Sequence, residues 1–164
     1  MKLFLVRHPE TSRNLRNKLT GWERTIYTER GKNQFSKIFA FFNGYKNKVY
    51  SSDLSRCLRL AKEISRHNKS KLVITDLLRE RNFKETKPKE HFETHEEFKN
   101  RIDKFIEEYN PKSCLIVSHA GVIRLLINEV LNEEETKKHI NLPRDHIFVI
   151  ETNKKQKLLR SIKV

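Results

Sequence analysis

Two short apolar runs constrain this chain more than any other feature, because each stops abruptly on a histidine. Leu3 to Val6 runs into Arg7-His8-Pro9-Glu10-Thr11, and Leu115-Ile116-Val117-Ser118 runs into His119-Ala120-Gly121. Short apolar runs bounded by turn residues read as buried strands. In open α/β sheets, ligands bind beyond the carboxyl ends of the strands. Two histidines, each at the end of its own strand, are therefore expected to share one site.

The rest of the chain alternates in the same way. Strands are predicted over Lys2 to Arg7, Val49 to Ser51, Leu72 to Thr75 and Ser113 to Ser118. Helices are predicted over Thr28 to Asn43, Asp53 to Asn68, Thr94 to Tyr109 and Gly121 to Leu131. Leu54, Leu58, Ala61 and Ile64 fall at helical spacing, and Thr94 with Glu97 three residues on forms a capping box. A helical turn or two is expected over Glu133 to His139. The runs His146 to Thr152 and Lys157 to Ile162 read as a closing hairpin. Such alternation argues for an α/β three-layer sandwich, with a mostly parallel central sheet, helices on both faces and an antiparallel edge hairpin. The 164 residues suit a single domain spanning 1–164. The polar stretch Asn82 to Glu93 lacks periodicity and is expected to be a mobile loop near the site.

Composition narrows the partners. The chain is 34% charged with a formal net charge of +14, which favours anions in general. The excess is spread along the chain and reads mainly as a solvated surface. Only the tail from Asn153 is one-signed, and lysines there discourage edge-to-edge pairing. Cys57 and Cys114 do not make a disulfide framework and read as small buried hydrophobes. No apolar run approaches the length of a membrane span, so a cytoplasmic protein with no membrane partner is expected. A basic nucleic-acid-binding domain without catalysis is the alternative of another class. The chain lacks the zinc-finger spacing, sheet aromatics or phosphate-cradling glycine loop that would support it.

If the first four strands are parallel, their ends deliver chemistry to one rim. Arg7 and His8 follow the first strand, and Arg56 sits in the first turn of the helix after Ser51-Ser52-Asp53-Leu54. Glu80 follows the third strand and His119 the fourth. Arginine binds phosphate well because its planar fork donates parallel hydrogen bonds and keeps its charge. Backbone amides near Ala120 and Gly121, at a helix N-terminus, add anion affinity. A zinc site from His8, His119 and Glu80 fits by residue type, but the adjacent arginines would repel the metal.

These blocks together, Leu5-Val6-Arg7-His8-Pro9-Glu10-Thr11, Ser51-Ser52-Asp53-Leu54 with Arg56, Glu80, and Val117-Ser118-His119-Ala120-Gly121, resemble the histidine phosphatase superfamily, the phosphoglycerate mutase-like fold. Thr11 and Asn14 match its polar positions after the nucleophile, and Leu19-Thr20-Gly21-Trp22 its following segment. The resemblance implies a phosphomonoesterase acting through a phosphohistidine on His8. Arg7, Arg56 and a protonated His119 would cradle the phosphoryl group, and Glu80 would serve as general acid and base. Thr11, Asn14, Thr20, Gly21, Ala120 and Gly121 would complete the phosphate site. It implies no metal and no cofactor, and a phosphorylated metabolite or phosphoprotein as partner; a homodimer is left open. Pro9 departs from the usual glycine, and the glycine-containing stretch after the acid is replaced by Asn82-Phe83-Lys84-Glu85-Thr86. The short segment between Glu80 and His119 favours a phosphatase over the alternative, a phosphoglycerate mutase.

Overall fold

The computed structural model describes residues 1–83, 92–131, 141–153 and 156–164. Its strands are β1 (Lys2–Arg7), β2 (Lys48–Ser52), β3 (Leu72–Thr75), β4 (Ser113–Ser118), β5 (His146–Thr152) and β6 (Lys157–Lys163). Its helices are α1 (Ser12–Leu15), α2 (Glu29–Phe41), α3 (Ser55–Asn68), α4 (His95–Tyr109) and α5 (Ala120–Leu131). The strands form one six-stranded sheet in the order β3-β2-β4-β1-β5-β6. The first four strands are parallel, while β5 and β6 run antiparallel on the β1 side. This is the expected mostly parallel sheet with an edge hairpin.

The period-two alternation of β1 and β4 builds two cores. Leu3, Leu5, Cys114 and Ile116 face one side and pack with Phe98, Ile102 and Phe105 of α4 and Val122, Ile123 and Leu126 of α5. Val6, Leu115 and Val117 face the other side with Ile38 of α2 and Cys57, Leu60, Ala61 and Ile64 of α3. Strands apolar on both faces can only be covered by helices on both faces, which gives the three layers.

Local chemistry sets the element ends. The Gly31 amide donates to the Thr28 hydroxyl at 2.9 Å, and Thr94 with Glu97 closes the expected box. Glycine is required at position 31, since a Cβ on Gly31 would lie 2.0 Å from the Glu10 carbonyl oxygen. The sequence reading missed α1 and a 3₁₀ turn over Asp76–Leu78, both too short to carry a period. The described ends of the expected loop are clamped, not loose. Asn82 is fully buried and Glu93 nearly so, and the Glu93 amide donates to the Asn82 carbonyl at 2.9 Å. The turns expected over Glu133 to His139, and loop residues 84–91, lie outside the described residues. No helix among the described residues is long and apolar enough to cross a membrane.

Candidate active site

The register of the two central strands places the site. Arg7 of β1 pairs with Ser118 of β4, and the His8 amide then donates to the Ser118 carbonyl at 3.0 Å. His8 and His119 consequently emerge side by side, ring centroids 5.3 Å apart in an edge-to-face arrangement. Both are buried, at 4% and 0% exposure.

The two rings are held differently. His8 Nδ1 lies 2.7 Å from the Pro9 carbonyl oxygen. A carbonyl only accepts, so Nδ1 carries the proton and Nε2 presents its lone pair. Burial, then the charge of Arg56, hold the His8 pKa well below the ordinary imidazole value, with Arg7 and Arg144 adding to the effect. His119 Nε2 lies 3.0 Å from the Ser52 hydroxyl and 3.4 Å from the Cys57 sulfur. Burial and Arg56 push its pKa well down too. The direction runs against the expectation of a protonated His119, because the ring is fully buried among cations.

Among the described residues, Arg7 and Arg56 have no carboxylate bonded to them. Arg7 Nη1 donates to the Leu142 carbonyl at 2.9 Å. Arg56 Nη2 and Nη1 donate to the carbonyls of Gly21, at 2.6 Å, and Glu23, at 3.2 Å. Each keeps a buried Nε–H with no acceptor among the described residues. Desolvation lowers the Arg7 pKa to about 10, helped by Arg144, and lowers that of Arg56 as well. A half-buried Arg7 and a buried Arg56, fixed by neutral carbonyls and only partly offset by the unbonded charge of Glu80, leave positive charge that an anion would relieve.

Around them lies a cavity of about 260 Å³, lined by Arg7, His8, Asn14, Thr20, Gly21, Arg56, Glu80, Ala120 and Gly121 among others. His119 stands behind His8 rather than on this wall. Thr11 is also set back. It is fully buried, and its amide and hydroxyl both donate to Asn14 Oδ1, at 3.1 and 2.8 Å, leaving the Asn14 NH2 group for a ligand. Glu80 accepts from the Arg81 amide at 3.0 Å and from the Gly121 amide, at the α5 N-terminus, at 3.3 Å. A Cβ at Gly121 would come within 2.4 Å of Glu80 Oε1, so this glycine admits the carboxylate. Among the described residues no three His, Cys, Asp or Glu side chains come together as metal ligands would.

Several contributors were not singled out from sequence. Arg101 of α4 donates to the Leu77 carbonyl at 2.7 Å and the Arg79 carbonyl at 2.9 Å, and forks onto the Glu93 carboxylate at 2.7 Å. Trp22 Nε1 donates to the Glu80 carbonyl at 2.8 Å. Together they fix the backbone that carries Glu80. Arg79, paired with Asp53, lies 4.8 Å over the Trp22 ring. Nothing in the sequence marks Arg101, a basic residue in an amphipathic helix. Trp22 could have been found from its place beside Thr20 and Gly21.

Comparison with known proteins gives the same picture. The profile of the Histidine phosphatase superfamily (branch 1) matches residues 3–108 and 84–164. The chain is 25% identical to a broad-specificity phosphatase of Saccharomyces cerevisiae over 96% of its own length and 82% of that protein's. It is likewise 25% identical to the adenosylcobalamin/alpha-ribazole phosphatase of Escherichia coli, covering 98% of this chain and 94% of that one. Among solved structures, the alpha-ribazole phosphatase of Shigella flexneri superposes with a TM-score of 0.83 at 24% identity, over 100% of this chain and 96% of that one. A phosphoserine phosphatase of Entamoeba histolytica gives a TM-score of 0.78 at 22% identity, over 99% and 96%.

Proposed function

The chain belongs to the histidine phosphatase superfamily and is a hydrolase of the phosphatase class, and from that premise we propose that it cleaves phosphomonoesters through a phosphohistidine formed on His8. The observation that carries this reading is the state of His8. Its Nδ1 is tied to the Pro9 carbonyl, its Nε2 is unprotonated, and it shares a cavity with Arg7 and Arg56.

In the first step His8 Nε2 attacks phosphorus, the Nε2–P bond forms and the ester P–O bond breaks. Arg7, Arg56 and the Asn14 NH2 group stabilise the equatorial phosphoryl oxygens, where catalysis of this transfer chiefly resides. A bound phosphoryl dianion also favours the charged form of His119. Glu80, as the acid, protonates the leaving oxygen. In the second step water attacks phosphorus, Glu80 takes its proton, the Nε2–P bond breaks and inorganic phosphate departs.

The substrate is a phosphorylated small molecule or a phosphoprotein. Both cysteines are free thiols, which suits a reducing, cytoplasmic setting. The test is phosphate release from p-nitrophenyl phosphate and from alkyl esters in metal-free buffer. Turnover by the wild-type protein that disappears in His8→Ala is expected; full activity in that variant would refute the reading.

A further inference from the structure

Two cations line the active-site cavity without entering the chemistry above. They are Lys18, after α1, and Arg124, within the first turns of α5. Both are exposed, and neither charged group has a hydrogen-bond or ion-pair partner among the described residues. Three other arginines near the site are paired with carboxylates. Arg13 meets Glu23 at 2.7 Å, Arg79 forks onto Asp53, and Arg101 onto Glu93. Arg144, whose charge acts on Arg7 and His8, also keeps a buried Nε–H without an acceptor but does not line the cavity, so among the described residues Lys18 and Arg124 are the exposed, unpaired cations on its wall. The cavity, about 260 Å³, is smaller than the ~300–1,000 Å³ usual for drug-sized ligands. A molecule anchored by its phosphoryl group at His8 has its leaving group in the same cavity as these two cations.

We propose that Lys18 and Arg124 form a second anion subsite, selecting phosphomonoesters whose leaving group carries its own negative charge, a carboxylate or a second phosphate. The proposal rests on the phosphatase reading of the same cavity. The Arg124 guanidinium can meet a carboxylate or phosphate through two parallel hydrogen bonds, and Lys18 adds a mobile point charge. Because the rim is open to water, the preference is about tenfold rather than thousands-fold. It acts mainly on KM, since the contact is the same before and during phosphoryl transfer.

Two substrate pairs isolate the second charge. 3-Phosphoglycerate and glycerol 3-phosphate differ only by a carboxylate in place of a hydroxymethyl group. Fructose 1,6-bisphosphate and fructose 6-phosphate differ by one phosphate. The charged member of at least one pair should show about tenfold higher kcat/KM, and which pair responds identifies the anion. In Arg124→Gln the ratio should collapse toward unity, with part of it retained in Arg124→Lys. Equal kcat/KM within both pairs, or a ratio that survives Arg124→Gln combined with Lys18→Gln, would overturn the proposal. Calorimetric binding of the same pairs to His8→Ala asks the question without turnover. A charged-member preference lost on adding Arg124→Gln supports the subsite, and equal affinities refute it. Absence of phosphate release by the wild-type protein, with that binding preference intact, would instead count against the phosphatase reading alone.

Discussion

Arg7 and Arg56 on one side, and Arg101 on the other, are largely buried guanidiniums with contrasting neighbours. The first two donate only to backbone carbonyls and keep buried Nε–H groups without acceptors. Arg101 also donates to carbonyls, but its Nε and Nη2 close on both oxygens of Glu93, a residue 5% exposed. A buried cation with a bonded carboxylate is electrically complete and serves the fold. A buried cation held only by neutral dipoles retains its charge for something else. The same residue type, in one molecule, is thus structural or functional according to whether an acid sits beside it.

The largest expected effect lies at the atom those free charges surround. His8→Ala should lower phosphate release by on the order of 10⁴-fold or more. Next, Arg56→Gln should cut kcat/KM by roughly 10²–10³-fold. Its Tm should stay level or rise, because a desolvated charge with no bonded carboxylate is gone. Arg101→Gln should do the opposite. Leaving the buried Glu93 carboxylate without its cation, with the Asn82 amide still donating to it, costs about 3 kcal/mol, a Tm drop on the order of 6–12 °C for a chain of this size. Thermal melts of the two variants, read beside their kinetics, check the contrast directly; equal Tm losses would erase it.

A smaller effect is expected at Gly121. Gly121→Ala pushes a methyl group toward Glu80 and should slow alkyl-ester cleavage by about tenfold, within the range lost when an acid is misplaced. p-Nitrophenyl phosphate, whose leaving group needs little protonation, should be affected less. A separate effect is expected in the pH dependence of stability. His8 and His119 have folded pKa values depressed below the unfolded value of about 6.5 by burial and by Arg56. Below that pH the unfolded chain binds more protons than the folded one. The stability contribution is therefore complete above it and is lost as pH falls toward the folded values, by up to about 1.4 kcal/mol per histidine per pH unit. Urea unfolding between pH 7.5 and 5.5 measures this. Imidazole NMR should show both rings still neutral at pH 6.

What could be read from the sequence, and what could not, follows from the range of the forces involved. β1 and β4 are short apolar runs with the same ending, and period-two burial with parallel pairing brings His8 beside His119 almost of necessity. Arg56 was legible because it follows a strand end by a few residues. Arg101 was not, because its role depends on contacts with residues 8 to 24 positions away, which leave no local pattern. The downward shift of the His119 pKa was not legible for a related reason. Arginine neighbours can be inferred from strand ends, whereas complete burial behind His8 exists only in three dimensions. The helix α1, one turn long, offers too few residues for periodicity to register.

The central claim is that His8 Nε2, kept unprotonated amid uncompensated arginine charge, accepts the phosphoryl group. Rapid quenching of the wild-type protein during turnover, followed by peptide mass spectrometry in alkali, tests it most directly. A phosphoryl group on His8, stable to base and lost in acid, is the predicted result. Turnover with no phosphoryl group on His8, or with it on another residue, would contradict the account.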